Sequence, residues 1–292
     1  MGIPPEMMAR IRRVEIRARR LVANIFLGEY HSVFRGRGIE FSEVRQYEPG
    51  DDVRAIDWNV TARMGTPYVK KYIEERELTV MLIVDLSASS AFTTTGVTKR
   101  ELAAEVSATL AFAAIANNDR VGLLTFTDRI ERFIPPGKGR RHVLRIIREL
   151  LYTRPVGRGT DIAGAVAYAG RVMRRRATVF VLSDFFDHGY DRQLRAAGAA
   201  HDVIAVTLND PRESELPDAG LVELGDAETG ARVVLDTTAK ATRQEYARHA
   251  AAQRASRRRA LAAAKVDEIA LSTDRPYVEA LLRGFHMREA RR

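Results

Sequence analysis

Four short runs of aliphatic residues, Val80–Leu86, Val121–Phe126, Thr178–Leu182 and Val203–Leu208, constrain this chain more than any other feature. None alternates strictly between apolar and polar positions, as a strand with one wet face would. A continuous run fits a strand covered on both faces, which is the habit of parallel sheets. The segments between them, Lys99–Ala116, Arg140–Leu151, Asp161–Arg174 and Asp191–Ala200, carry apolar residues at helical spacing. Strand and helix in alternation predict an α/β fold with a doubly wound, mainly parallel sheet. Ile130–Ile134 is expected to pair beside the second strand. Beyond residue 210, a turn-rich stretch predicts a hairpin from Leu221–Leu224 and Ala231–Leu235. A long helix over about 238–264, a strand at Val266–Leu271 and a last helix at Pro276–Phe285 follow.

The ends of the chain differ from this middle. Residues 6–27 place Met7, Met8, Ile11, Val14, Ala18, Leu21, Val22 and Ile25 at helical spacing, with arginines mostly on the other face. Residues 28–77 are broken by Gly36, Gly38, a Pro49-Gly50-Asp51-Asp52 turn and Gly65-Thr66-Pro67, and read as short strands and loops. The expected organisation is therefore a basic amphipathic helix (1–27), a β-rich N-terminal region (28–77), the α/β domain (78–210) and a hairpin–helix–strand–helix extension (211–292).

In an open parallel sheet, ligands bind beyond the carboxyl ends of the strands, near the point where strand order reverses. Asp85-Leu86-Ser87-Ala88-Ser89 follows the first run, and Ser183-Asp184 follows the third. Arg158-Gly159-Thr160-Asp161 opens the helix between them. Two carboxylates and several hydroxyls on loops at one sheet edge suit a hard cation, Mg²⁺ ahead of Mn²⁺ or Ca²⁺. The chain has no cysteine and its six histidines are scattered, which argues against zinc. Asp161 is expected to serve as a helix N-terminal charge, and Asp128 and Asp187 as exposed turn residues.

At this point the sequence resembles a known family. Asp85, Ser87, Ser89, Thr160 and Asp184 match the metal-ion-dependent adhesion site of von Willebrand factor type A domains. The intervals of 71 residues from Ser89 to Thr160 and 24 from Thr160 to Asp184 agree with that pattern. The resemblance implies that the hydroxyls bind the metal directly, that the aspartates act directly or through water, and that a partner's carboxylate completes the shell. The upstream series Gly36–Phe41, Arg45–Asp52, Ile56-Asp57-Trp58, Thr61-Ala62-Arg63 and Glu74–Arg76 resembles the bacterial domain-of-unknown-function family numbered fifty-eight. Members of that family carry a type A-like domain and are commonly encoded beside MoxR-type AAA+ ATPases. The likeness spans roughly residues 5–285. One departure is Ser90, where Met often follows the first motif.

Other function classes find less support. No Gly-x-Ser-x-Gly elbow or Walker phosphate loop occurs, and Gly36-Arg37-Gly38 lacks the third glycine of a dinucleotide fingerprint. A metal-dependent phosphohydrolase with Asp85 as nucleophile is the alternative, weakened because Ser87 stands where a general acid would be needed. The formal net charge of +9 invites a nucleic-acid reading. Residues 1–20 carry +4 and residues 237–292 carry +7, leaving −2 between them. With no zinc finger, aromatic RNA-binding stretch or helix-turn-helix pattern, no nucleic-acid partner is expected. The basic first helix has two readings, docking on a membrane or partner and packing on its own domain. Segment 45–63 also has two: tight turns with internal Arg–carboxylate pairs and Trp58 as a core anchor, or a docking surface. Arg45, Tyr47, Asp51, Asp52, Asp57, Trp58 and Arg63 are its candidate contact residues.

The expected function is non-catalytic, metal-assisted recognition of a protein partner that donates an acidic residue. By resemblance the partner system includes a MoxR-type AAA+ ATPase. The expected setting is the cytoplasm, with the inner-membrane surface as the alternative for the first helix.

Overall fold

A computed structural model describes residues 5–26, 30, 40–73 and 77–291. The motif residues Gly36, Gly38 and Glu74–Arg76 lie outside them. The chain forms two compact units, residues 34–78 and the remainder.

The larger unit is built on a six-stranded sheet. Its strands are β3 (Thr79–Asp85), β4 (Arg120–Phe126), β5 (Ile130–Gly137), β6 (Thr178–Ser183), β7 (Asp202–Asn209) and β10 (Asp267–Ser272). They run in the order β10-β7-β6-β3-β4-β5, all parallel except β5 at one edge, which returns antiparallel to β4. The four aliphatic runs are therefore strands, and all four end within one residue of the expected position. From β3 the chain moves one way to β4 and β5, then crosses to β6 on the other side. The reversal falls between β3 and β6, so the residues after Asp85 and Ser183 flank the cleft that such a switch opens.

Period-two geometry sends alternate side chains to opposite faces. Met81 and Ile83 join Leu124, Phe126, Val179 and Val181 in a core under α5 (Ile162–Val172) and α6 (Asp191–Ala200). Val80, Leu82 and Val84 face the other way, toward α3 (Lys99–Ala116). That helix is buried nearly all round, and its alanines 103, 104, 108, 111, 113 and 114 let it lie close to its neighbours. A reciprocal cap starts it: the Thr98 hydroxyl accepts the Glu101 N–H while Glu101 accepts the Thr98 N–H. Helix α4 (Arg140–Tyr152) packs beside α3 through Val143, Ile146, Ile147 and Leu150.

Helix α1 (Pro5–Leu21) packs on α3 and α4 with Ile11, Val14 and Ala18 buried. Its charges pair with the same domain as well: Arg17 meets Glu105, Arg10 meets Glu101, and buried Glu15 accepts Arg140. This is the packed-on-its-own-domain reading of the first helix. The extension follows the same sheet. A hairpin of β8 (Leu221–Gly225) and β9 (Arg232–Asp236) precedes the long α7 (Lys240–Ala263), then β10 and α8 (Tyr277–Glu289).

The smaller unit pairs β1 (Glu40–Gln46) with β2 (Tyr68–Ile73) in antiparallel fashion, with the short helix α2 (Trp58–Met64) between them.

Candidate metal centre

Asp85 ends β3, and only 3% of it is exposed. Its Oδ1 accepts the Ser87 N–H at 2.8 Å and its Oδ2 accepts the Ser183 hydroxyl at 2.6 Å. The first bond tightens the loop at once, and the chain enters a 3₁₀ turn, Ala88–Ala91, with Ser87 at its N-terminus. Ser87 Oγ and Ser89 Oγ then stand 3.0 Å apart, and Ser89 Oγ donates to Asp184 Oδ2 at 2.9 Å. Ser90, the departure from the family pattern, turns its hydroxyl onto the Ser87 carbonyl at 2.7 Å. Four of the five expected ligands are thus joined in one hydrogen-bonded chain across the β3–β6 switch.

Asp184 is aimed by its own turn. Phe185 holds a left-handed φ of +58°, uncommon for a bulky residue and costing roughly 1–2 kcal/mol. Burial of Phe185 against Tyr190 holds it there, with ring centroids 5.7 Å apart. In this conformation Phe186 N–H reaches Asp184 Oδ1 at 3.1 Å, and Arg257 of α7 donates to the Asp184 carbonyl at 2.9 Å.

The fifth expected ligand, Thr160, lies on the adjoining loop, which is tied to the first by Ala88 N–H to the Arg158 carbonyl at 2.9 Å. Its hydroxyl donates to Glu228 Oε1 at 2.7 Å. Asp161 caps α5 by accepting the Gly164 N–H at 2.7 Å, as the sequence predicts. Asp128 is an exposed turn residue paired with Arg129 at 2.9 Å. Asp187 departs from expectation: it is half-buried and accepts the Ile162 N–H at 2.8 Å, a second acceptor at the same helix start.

Lys99 and Glu213 are among the residues at the site that escaped the sequence reading. Lys99 is 1% exposed, and its ammonium donates to Asp184 Oδ2 at 2.6 Å and to Glu213 Oε1 at 2.5 Å. Burial opposes the charge on Lys99, yet the two carboxylates outweigh it and hold the amine above its ordinary range. Burial also raises Glu213, with Lys99 pulling the other way. The available signals were local caps: Thr98-x-x-Glu101 places Lys99 at the first turn of α3, and Asp210-Pro-Arg-Glu213 forms a second capping box after β7.

The two strand-end carboxylates are answered unequally. Lys99 neutralises Asp184, but Asp85 has no cationic partner among the described residues. Burial, then the neighbouring Asp184, push Asp85 up to about 7 against the hydrogen bonds from Ser183 and Ser87. Among the described residues, no three His, Asp or Glu side chains gather into a metal-binding group. The donor set here is two carboxylates with a cluster of hydroxyls. An unanswered buried carboxylate beside several neutral oxygens fits a hard cation chemically.

The segment 45–63 contains the turns the sequence predicts. Arg45 pairs with Asp51 at 2.6 Å, Asp52 accepts the Arg54 N–H, and Asp57 caps α2 through the Asn59 and Val60 N–H groups. Tyr47 follows β1 and donates its backbone N–H to Pro67 O at 2.9 Å. Trp58 corrects the core-anchor expectation: it is 70% exposed on α2, and Arg63 is exposed on the same helix. Two turns of helix on a two-stranded ribbon offer no interior large enough to enclose an indole.

A family profile described as "Protein of unknown function DUF58" matches residues 43–256. The uncharacterized protein Rv1480 of Mycobacterium tuberculosis is 36% identical over 283 residues, covering 96% of this chain and 89% of that one. The uncharacterized protein YeaD of Bacillus subtilis is 27% identical over 109 residues, covering 37% of this chain and 25% of that one. Among solved structures, an aerotolerance-related membrane protein from Bacteroides fragilis aligns with a TM-score of 0.48 at 17% identity, covering 74% of this chain and all of that one. The VWA domain of SpRpn10 aligns with a TM-score of 0.38 at 11% identity, covering 70% and 94%. Among the described residues no helix is long and apolar enough to cross a membrane.

Proposed function

The chain belongs to the family described as protein of unknown function DUF58, and we propose that this member is a non-catalytic protein-interaction module whose contact is made through a bound divalent cation. The observation that carries the proposal is the inequality at the switch point: Asp184 has Lys99, while Asp85 is buried among hydroxyls with no cationic partner among the described residues. Ser87, Ser89 and Thr160 would hold the ion, with Asp85 and Asp184 supplying negative charge directly or through water. The bound cation would supply the positive charge that an acidic side chain of the partner seeks. By the family resemblance, the partner system is a MoxR-type AAA+ ATPase, and the module serves it in assembly or remodelling of a client protein.

No observation favours the phosphohydrolase alternative. A strand-end nucleophile must be reached by its substrate, and Asp85 is buried with both oxygens already accepting hydrogen bonds.

Calorimetric titration with Mg²⁺ tests the reading. The parent is expected to bind one ion at the switch point, and Asp85→Ala to lose that binding while keeping its circular dichroism spectrum. A silent titration of the folded parent, or an unchanged one for the variant, removes the cation from the account. Capture of partners with and without chelator then identifies what the ion holds.

A further inference from the structure

The β8–β9 hairpin reaches the candidate centre with its tip. Its base is secured where the buried Thr237 hydroxyl donates to the Gly220 carbonyl at 2.8 Å and accepts the Ala219 N–H at 3.0 Å. Among the described residues its two arms pair only with each other, and Leu221, Val233 and Val234 are exposed. A free-standing two-stranded ribbon is marginally stable at best. The tip nevertheless has a defined shape. Asp226 accepts the Glu228 N–H at 2.8 Å and the Thr229 hydroxyl at 2.5 Å, and Gly230 closes the turn in the left-handed region at φ +76°. That turn delivers Glu228 onto Thr160 at 2.7 Å, while Arg158 donates to the Ala227 carbonyl at 3.1 Å. Gly159, between those two contacts, lies beside Glu228 Oε2.

We propose that Glu228 is a tethered carboxylate that occupies the Thr160 edge of the centre, so that a partner's acidic side chain must displace the hairpin tip to bind. This rests on the reading of the site as a cation-assisted carboxylate receptor, and it names what fills the receptor in the free chain. Two features make Glu228 displaceable. Its hold on the body is polar and half-exposed, and among the described residues no third strand anchors the arms that carry it. A tethered competitor of this kind lowers the affinity of a free ligand by its effective concentration relative to its own dissociation constant. For a short tether at millimolar effective concentration, whose own contact has a dissociation constant on the order of 0.1 mM, that factor is on the order of tenfold.

The test uses the full chain with Mg²⁺ and N-acetylglutamate amide as the soluble carboxylate probe, in the parent, Glu228→Gln and Asp85→Asn. Mg²⁺ binding is measured first by calorimetry, then probe binding to the Mg²⁺-loaded protein. Hydrogen exchange of residues 226–231 is followed as the probe is added. The expected result is about tenfold tighter probe binding for Glu228→Gln than for the parent. In the parent, exchange at the hairpin tip should accelerate as the probe binds. If Mg²⁺ binds the parent normally but Glu228→Gln takes up the probe no better, the tethered-carboxylate inference is overturned and the receptor reading stands. If neither parent nor Glu228→Gln binds Mg²⁺, both readings fall together, and Asp85→Asn sets the baseline that identifies that case.

Discussion

The switch-point loops and the segment 45–63 use the same vocabulary of aspartate, arginine or lysine and hydroxyl, with opposite consequences. In 45–63 the carboxylates cap turns and meet Arg45 in the presence of water, and Trp58 stands in solvent. At the switch point Asp85, Asp184 and Lys99 are all but sealed from water. Exposed ion pairs contribute little because water solvates each partner nearly as well as the pair does. Buried charges have lost that solvation and must be answered by something, which is why an unanswered one points to chemistry. Density of polar residues does not distinguish a site from a set of turns; burial does.

The largest effect that would sharpen this contrast is the loss of Lys99. Lys99→Met fills the same space without charge and leaves Asp184 and Glu213 buried together. Removing one partner of such a cluster is expected to cost about 3–5 kcal/mol, measured as a shift in the urea unfolding transition. Saturating Mg²⁺ should restore part of the loss, because an added cation near Asp184 relieves the same repulsion. Arg45→Met in the other segment, whose partner Asp51 faces water, should move the transition far less. Equal shifts for the two variants would erase the distinction between the regions.

The legibility of the two regions in the sequence follows the same line. The sheet was readable because continuous aliphatic runs have few other stable uses, and the strand ends at Asp85 and Ser183 follow from them. Four of the five proposed ligands meet for that reason. Lys99 was not readable as part of the site, since a lysine at the start of an amphipathic-looking helix ordinarily faces solvent. Only the packing of α3 across the β3 end carries it inward; the Thr98–Glu101 cap fixes where the helix starts but not what its first turn meets. Glu228 was hidden for a similar reason: it lies 68 residues beyond Thr160 on a hairpin whose placement depends on tertiary contacts. Trp58 misled because a lone tryptophan among turns usually finds a core, and here the ribbon is too small to provide one.

A second way to separate the regions is their response to pH. The folded pKa of Asp85 is raised from the ordinary carboxylate range to about 7, by burial first and then by Asp184. Lys99, Glu213 and the Arg257 guanidinium are the other charged groups close to that carboxylate pair. Between about pH 4 and pH 7 the folded chain therefore holds a proton that the unfolded chain has released. Stability from this group is present in full below the lower value and is lost as pH rises through the upper one. Metal-free protein should thus lose stability over that range more steeply than Asp85→Asn, which has nothing to titrate there. Mg²⁺ should flatten the slope of the parent by stabilising the ionised form. Identical slopes for parent and variant would mean that Asp85 is ionised throughout, and the inequality between the two aspartates would lose its physical basis.

The smallest expected effects compare aspartates that do the same mechanical task in the two regions. Asp57 caps α2 in the segment 45–63, and Asp161 caps α5 next to the proposed ligand Thr160. An N-cap replaced by alanine typically costs about 1 kcal/mol. Asp57→Ala should raise hydrogen exchange in α2 by roughly fivefold if opening is local. Asp161→Ala should lower global stability by a similar increment, and Asp161→Asn should recover it because asparagine caps equally well. Neither Asp161 variant should change the Mg²⁺ affinity appreciably, since its carboxylate is committed to the Gly164 N–H. A large loss of Mg²⁺ binding in Asp161→Asn, with stability kept, would make this residue a ligand and shift the centre toward α5. Loss of stability without loss of binding would leave the boundary where the hydrogen bonds draw it, between Thr160, which faces Glu228, and Asp161, which caps α5.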